Sequence, residues 1–129
     1  MAMSTKQFRK RNAIMAYLKS TKAHPSAETV YGHLKEEFPD LSLGTVYRNL
    51  SMFKQQGMIA SLGTVNGIER FDANTVPHVH FICTGCDAVM DLPHIHTPEA
   101  LRQAAADESG GRVQECHLSF TGLCRECKG

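Results

Sequence analysis

The chain has 129 residues, of which 42% are apolar and 21% charged, and its formal net charge is +1. This length allows one ordinary domain or two very small ones. No apolar run approaches the roughly 18 to 20 residues that a membrane-spanning helix needs, and the N-terminus lacks the apolar core of a signal peptide. We therefore expect a cytoplasmic protein without a membrane partner, in which clustered cysteines indicate a metal site more often than a disulfide framework.

The small net charge hides an uneven distribution of charge along the chain. Residues 1–71 contain ten Lys and Arg against five Asp and Glu, a balance of +5, and residues 72–129 contain four against eight, a balance of −4. All five cysteines lie in the second part. A basic part and an acidic part rich in Cys and His indicate two different functions. The alternative interpretation is a solvated surface on which charge is unevenly distributed.

Two amphipathic helices are predicted in the basic part. Residues 5–20 fit a first helix. Ser26 is a suitable N-cap for a second helix, whose apolar residues recur at helical spacing as far as Phe38. Pro39 is expected to end this second helix.

A third helix is predicted between Ser42, a suitable N-cap, and Gly57, a suitable C-terminal residue. Its apolar stripe consists of Val46, Leu50 and Phe53. Another face carries hydroxyl, guanidinium and amide groups, which suit base edges and phosphates. This face consists of Thr45, Arg48, Asn49 and Met52, with Tyr47 on its flank. A plain amphipathic helix whose polar face meets water is the alternative interpretation.

Residues 58–72 are predicted to form a β-hairpin. Two short β-prone runs are joined at Asn66-Gly67, a strong signal for a two-residue turn. Three helices followed by a hairpin is the order of a winged helix, in which the third helix enters the major groove of double-stranded DNA. The chain contains no GxGxxG or P-loop pattern that would indicate a nucleotide-binding fold.

The stretch PHVHFICTGCDAVMD indicates metal binding, and its β-prone core predicts a strand over Val79–Cys83. Because side chains alternate between the faces of a strand, His78 and His80 should point one way and Cys83 the other. One ion could not readily bind all three side chains. We therefore expect two separate metal sites.

The first predicted site is formed by cysteines. Cys83 and Cys86 form one C-x-x-C pair, and Cys124 and Cys127 form a second near the C-terminus. Two such pairs are typical of a structural zinc site with four cysteine ligands. Redox-active pairs and buried free cysteines are the alternatives. Cys116 is left over and is expected to be a packed or free thiol.

The second predicted site contains His78 and His80, the only two ligands that spacing alone supports. Other candidates are Asp91 on the next strand, Asp72 at the end of the hairpin and His24 before the second helix. Imidazole and carboxylate ligands without thiolate suit Fe(II) or Mn(II), and zinc also accepts them.

Five segments of the chain together resemble the ferric uptake regulator superfamily: HPSAETVY, TVYRNL, RFD, HVHFICTGC and GLCREC. The resemblance extends over residues 8 to 128. It implies a bacterial, homodimeric, metal-dependent transcriptional repressor that is not an enzyme. It also implies an α+β fold, with a winged-helix DNA-binding domain at residues 1–73 and a small α/β dimerisation and metal-binding domain with a four-cysteine zinc site at residues 74–129.

The resemblance further implies a regulatory ion, Fe²⁺ or Mn²⁺, besides the structural Zn²⁺. Its ligands in this chain would be His24, Asp72, His78, His80 and Asp91. Iron-sensing members usually have glutamates where Asp72 and Asp91 stand, so the two aspartates are similar to the peroxide-sensing branch (PerR). In that branch Fe(II) reacts with peroxide and a ligand histidine is oxidised, here His24 or His78. An iron-, manganese- or zinc-responsive repressor without peroxide sensing is the alternative.

On this basis we expect Tyr47 and Arg48 at the operator, with Thr45 and Asn49 nearby. The cluster FRKR stands where members usually have a TPQR-like segment, and it suggests phosphate contacts by Lys10 and Arg11. The chain also begins too late to contain a first helix that members usually have. A further metal site of some members is predicted to be disrupted here, because Val79 stands where a ligand aspartate would be and Cys116 stands near a usual histidine. His94 and His96 could substitute as ligands, but we expect these loop histidines to be solvated.

Overall fold

The computed structural model describes residues 4–75, 78–114 and 116–129. The chain divides into two compact units, Met1–Thr75 and Val76–Gly129. The first contains α1 (Thr5–Ser20), α2 (Ala27–Leu34), α3 (Leu43–Gln55), β1 (Ala60–Val65) and β2 (Ile68–Asp72). The second contains β3 (Val79–Cys83), β4 (Val89–Leu92), α4 (Glu99–Ser109), β5 (Ser119–Gly122) and α5 (Arg125–Lys128).

Each helix of the first unit begins at a serine whose hydroxyl accepts a hydrogen bond from a backbone N–H of the first turn. Ser4 caps α1 and also forms a capping box with Gln7. Ser26 accepts from the N–H of Thr29, and Ser42 accepts from the N–H of Thr45. The predicted positions of the first and third helices are therefore confirmed.

The second helix ends one turn earlier than predicted. It stops at Leu34, whereas the apolar spacing suggested a helix as far as Phe38. Phe38 precedes Pro39, and the proline ring disfavours helical backbone at the residue before it. Phe38 nevertheless remains buried, and its N–H donates to the Leu34 carbonyl over 3.0 Å. The apolar pattern therefore predicted the burial of Phe38 correctly and its secondary structure wrongly.

A single core joins the three helices to the hairpin. Val46, Leu50 and Phe53 of α3 are almost completely buried, as predicted, so the polar face of α3 points away from this core. The other core residues are Ile14, Met15, Leu18, Ala27, Val30, Leu34, Phe38, Leu41, Ile59 and Phe71.

The hairpin has the predicted two-residue turn. Val65 pairs with Ile68, and both Asn66 and Gly67 have positive φ angles, of 52° and 79°. These angles are those of a type I′ turn, which favours Asn-Gly. Three helices followed by a two-stranded antiparallel hairpin complete the winged-helix arrangement of the first unit.

The second unit is built on a three-stranded mixed sheet in the order β4-β3-β5. β3 runs antiparallel to β4 and parallel to β5, and the connection from β4 to β5 contains α4. The α+β fold predicted for the chain is therefore confirmed. The buried apolar side chains described in this unit are few, and two of them are cysteines: Val79, Cys83, Val89 and Cys124.

None of the helices in the described part of the chain has the length and apolar character that crossing a membrane requires.

Candidate metal centres and DNA-binding face

The two C-x-x-C pairs come together in one cluster. β3 ends at Cys83, and the parallel register of β3 and β5 places Cys83 opposite Gly122. The chain that leaves β5 therefore reaches Cys124 close to Cys83, and the turn after β3 brings Cys86 to the same place. The four Sγ atoms, with Cys127 as the fourth, lie within 4.8 Å of one another.

The spacing of these sulfurs fits a tetrahedral zinc ion. With Zn–S bonds of about 2.3 Å, two sulfurs of a tetrahedron lie roughly 3.8 Å apart. The Sγ atoms of Cys86 and Cys124 are 3.9 Å apart. The structure therefore forms one four-sulfur cluster from the two pairs, and Cys116 is not a member of it.

The electrostatics of the cluster also favour a bound cation. Backbone N–H groups of Cys124 and Gly85 donate to the Cys83 sulfur over 3.4 and 3.3 Å. These donors, Cys124 first, lower the pKa of Cys83 to about 6. The neighbouring Cys124 and Cys83 sulfurs raise the pKa of Cys127 to about 12, because a second thiolate beside a first is unfavourable. A divalent ion would remove this conflict and allow all four thiols to ionise.

A second group of ligands lies where β3 and β4 pair. His80 and Asp91 are direct cross-strand partners. The Oδ1 atom of Asp91 lies 3.1 Å from Nε2 of His78 and 3.3 Å from Nε2 of His80. Two ligands bound at right angles to one ion, with bonds of about 2.1 Å, lie roughly 3 Å apart. The Asp91 Oδ1 atom therefore lies at the spacing of neighbouring metal ligands from each of the two histidines.

A third group, in the first unit, consists of His24 and Asp72. His24 lies in the loop between α1 and α2, and Asp72 is the last residue of β2. Both are buried, and Nδ1 of His24 lies 3.3 Å from Oδ2 of Asp72. Spacing in the sequence did not distinguish these two residues from ordinary surface residues. Their burial and their contact with each other distinguish them in the structure.

The polar face of α3 is accessible and internally ordered. Tyr47 and Arg48 are exposed, and Thr45 and Asn49 are half-buried. Nη2 of Arg48 donates to Oγ1 of Thr45 over 3.0 Å, and Nδ2 of Asn49 donates to the Thr45 carbonyl over 2.9 Å. Arg11 of α1 reaches the same face, because its Nε donates to Oδ1 of Asn49 over 3.3 Å. The guanidinium of Arg48, the phenol of Tyr47 and the amide of Asn49 therefore lie together on this face of α3.

The family model of the ferric uptake regulator family matches residues 2–121. This chain belongs to the ferric uptake regulator family. The predicted family is therefore confirmed.

Named relatives within the ferric uptake regulator family agree with this assignment. The peroxide operon regulator of Bacillus subtilis (strain 168) is 37% identical over 117 residues, which cover 91% of this chain and 80% of the relative. The peroxide-responsive repressor PerR of Staphylococcus epidermidis is 38% identical over 120 residues, 92% of this chain and 78% of the relative. The solved structure of the Campylobacter jejuni peroxide stress regulator superposes with a TM-score of 0.78 at 25% identity, covering 95% of this chain and 91% of that one.

Two contacts of the residues predicted to bind DNA could not be anticipated from sequence spacing. The Tyr47 hydroxyl donates to Oε1 of Glu28 over 2.8 Å. This bond raises the pKa of Tyr47 and, together with a stronger backbone hydrogen bond, lowers the pKa of Glu28. Nζ of Lys10 contacts Asp40 at 3.1 Å, and Lys6 contacts the same carboxylate at 2.8 Å. A phosphate would therefore compete with Asp40 for Lys10.

Gly85, inside the first C-x-x-C pair, provides a test of the cysteine cluster. A Cβ atom added at Gly85 would lie 3.0 Å from the Sγ and 3.1 Å from the Cβ of Cys127. Gly85→Ala should therefore displace this ligand and accelerate zinc transfer to a chromogenic chelator by about tenfold or more, as is typical when the support of a ligand is altered.

Gly111→Ala is the matched control for that substitution within the second unit. Its added Cβ would meet Ser109 Oγ at 3.6 Å, which is an ordinary contact. Zinc transfer from this variant should match that of the wild type. Equal transfer rates for Gly85→Ala and Gly111→Ala would contradict the ligand role of Cys127.

Proposed function

We propose that this protein is a metal-dependent, peroxide-responsive repressor that binds operator DNA as a homodimer. The observation that carries the proposal is the sharing of one Asp91 oxygen by His78 and His80 at ligand spacing. This group of ligands consists of imidazoles and a carboxylate without a thiolate, so it suits Fe(II) or Mn(II). The relatives named for peroxide regulation support the same function.

The two parts of the chain are proposed to have different functions. Residues 1–73 would form the DNA-binding domain, with α3 entering the major groove. Residues 74–129 would form the dimerisation and metal-binding domain. The exposed face of α3 and the basic charge of the first part support the former role.

Zinc is proposed as a structural ion at Cys83, Cys86, Cys124 and Cys127. The spacing of their sulfurs and the opposed pKa shifts of Cys83 and Cys127 support this choice. The buried apolar core described in the second unit is small, so a metal would contribute much of the free energy of folding.

The regulatory ion is proposed to be bound by His24, Asp72, His78, His80 and Asp91. In the first unit, the buried pair His24 and Asp72 has ligand spacing. In the second unit, Asp91 has ligand spacing to both His78 and His80. Because the ligands come from both parts of the chain, metal binding and DNA binding would be coupled, typically by about 1–3 kcal/mol. Fe(II), when bound there, would activate peroxide for the oxidation of a neighbouring histidine.

A second copy of the chain is the proposed partner in the dimer. None of the described residues of α4 is buried, although Leu101 carries a large apolar side chain. β5 is an edge strand of its sheet, and Phe120 on it is also exposed. A helix with an uncovered apolar side chain and an edge strand with another, in one small unit, suit pairing with an identical unit.

Replacement of Arg48 tests the DNA-binding face directly. A duplex is first selected from a random pool by the Mn(II)-loaded protein, and its affinity is then measured by fluorescence anisotropy. Arg48→Ala should weaken binding to this duplex by about 1–3 kcal/mol, because a bidentate arginine–guanine contact is lost. Mn(II) affinity measured without DNA should stay at the wild-type value.

Lys19→Ala serves as the charge-matched control for Arg48→Ala. Lys19 is an exposed residue in the last turn of α1. The Lys19→Ala substitution should leave the affinity for the selected duplex nearly unchanged. Full-strength binding by Arg48→Ala would remove α3 from the proposed interface.

A further inference from the structure

The loop that carries His24 has a backbone conformation that its local sequence does not favour. His24 has a positive φ of 53°, which is uncommon for a residue other than glycine. It also precedes Pro25, and the residue before a proline favours extended backbone. Contacts from elsewhere in the fold must therefore stabilise this conformation.

Two consecutive residues of β2 provide such contacts. The Arg70 side chain donates from Nη2 to the Ala23 carbonyl over 2.7 Å and from Nε to the His24 carbonyl. The N–H of Phe71 donates to the Pro25 carbonyl over 3.0 Å. Three successive carbonyls of the loop are thus bound to β2, immediately before the strand reaches Asp72.

We infer that Arg70 is a positioning residue for the regulatory metal, because it holds the His24 loop in the conformation that directs His24 Nδ1 to Asp72. The inference rests on the proposed function, in which His24 binds that metal. Phe71 is anchored in the core and supplies a backbone bond that any residue at its position would retain. Arg70 supplies two bonds through its side chain alone, so its identity determines whether Ala23 and His24 are held together.

The geometry of the guanidinium explains why arginine is required there. Its planar, forked donors can bind two neighbouring carbonyls in a fixed arrangement, whereas the lysine ammonium is a flexible point charge. Arg70→Lys preserves the charge and would hold the loop less firmly. Arg70→Ala removes both bonds. The helical core contains no part of Arg70, so both variants should fold.

The test is Mn(II) affinity, measured on the full-length zinc-loaded protein from the electron paramagnetic resonance signal of free Mn(II). Arg70→Ala should bind Mn(II) about 10–100-fold more weakly than the wild type, the usual effect of removing a group that orients a ligand. The Mn(II) affinity of Arg70→Lys should lie between those of Arg70→Ala and the wild type. In a His24→Ala background, Arg70→Ala should cause no further loss, because the ligand through which Arg70 acts is absent.

Glu69→Ala is the matched control on the same strand. The Glu69 carboxylate accepts hydrogen bonds from Ser61 Oγ over 2.6 Å and Lys54 Nζ over 3.1 Å. Its removal should lower the thermal stability of the metal-free first unit and leave Mn(II) affinity unchanged. A general weakening of the hairpin would instead reduce Mn(II) affinity in Glu69→Ala as well, and would overturn the inference.

Two further outcomes separate the inference from the proposed function. If His24→Ala weakens Mn(II) binding and neither Arg70 variant does, the metal site stands and the positioning role of Arg70 is wrong. If His24→Ala binds Mn(II) as tightly as the wild type, His24 is not a ligand, and the proposed site and the inference fail together. Should Arg70→Ala not fold, Arg70→Lys alone decides between these results.

Discussion

Replacing Cys86 with serine is expected to abolish stoichiometric zinc binding and to unfold the second unit. The same result is expected for serine at Cys83, Cys124 or Cys127. Structural zinc sites contribute about 10–16 kcal/mol in small zinc-dependent domains, far more than this unit can recover from its few buried apolar side chains. The expected readout is one zinc per chain in the wild type and none in the variant, together with loss of the dimer.

Cys116→Ser is the control for these variants, because Cys116 lies outside the sulfur cluster. It should keep its zinc and its dimeric state. The first unit has its own core of helices and hairpin, so the Cys86→Ser protein should retain most of its helical circular dichroism. A fully folded dimer without zinc would contradict the structural role assigned to the four cysteines.

The features predicted well from the sequence are those that depend on neighbouring residues. The Asn66-Gly67 turn requires only positive φ angles at two adjacent residues, and the Ser42 cap requires a bond three residues along. The end of α2 shows the limit of this approach. Apolar spacing continues to Phe38, but the effect of the following proline on the backbone prevailed.

Contacts between distant parts of the chain were predicted only in part. Each C-x-x-C pair is a local signal, and the joining of the two pairs depends on the parallel register of β3 and β5, which no local pattern encodes. His24 and Asp72 were assigned through the family resemblance alone. Arg70 and Glu28 lie in the segments RFD and HPSAETVY, but their contacts were missed, because each residue contacts its partner across 19 or more residues.

Low concentrations of hydrogen peroxide are expected to release the Fe(II)-loaded protein from its operator and to leave the Mn(II)-loaded protein bound. Both ions suit a site of imidazole and carboxylate ligands. The expected difference is that Fe(II), when bound, would activate peroxide, whereas Mn(II) would not. In the Fe(II) form, one oxygen atom should be added to His24 or His78, which appears as a mass increase in the corresponding peptide.

The oxidation balances with peroxide as the oxidant. The O–O bond breaks, one hydroxyl group replaces the hydrogen on an imidazole carbon, and the other hydroxyl leaves as water with the displaced hydrogen. The imidazole is oxidised by two electrons and the peroxide is reduced by two, so each event inactivates one site. An oxidised ring is a poorer ligand, and loss of the regulatory ion would then weaken DNA binding through the coupling between the two.

The position of the Asp91 carboxylate should control this sensitivity. Its Oδ1 atom lies within 3.3 Å of both His78 and His80, so it shares the site with each of them. Asp91→Glu lengthens the side chain by one methylene, which moves the carboxylate by roughly 1.5 Å unless the strand adjusts. This variant should still bind DNA with Mn(II) or Fe(II) and should require more peroxide for release.

Peptide mass spectrometry on both metal forms, with Cys116→Ser as a parallel sample, separates the alternatives. Oxygen on His24 or His78 in the Fe(II) form alone, with release of the selected duplex, is the expected result. Oxidation of Cys116, or of the zinc-site cysteines before any histidine, would show that peroxide acts through thiols, and Cys116→Ser would distinguish these two cases. If neither metal form responds to peroxide, the protein is an iron- or manganese-responsive repressor, and Asp72 and Asp91 serve metal selection alone. In that case Asp91→Glu should change the metal preference, and peroxide should have no effect on the variant.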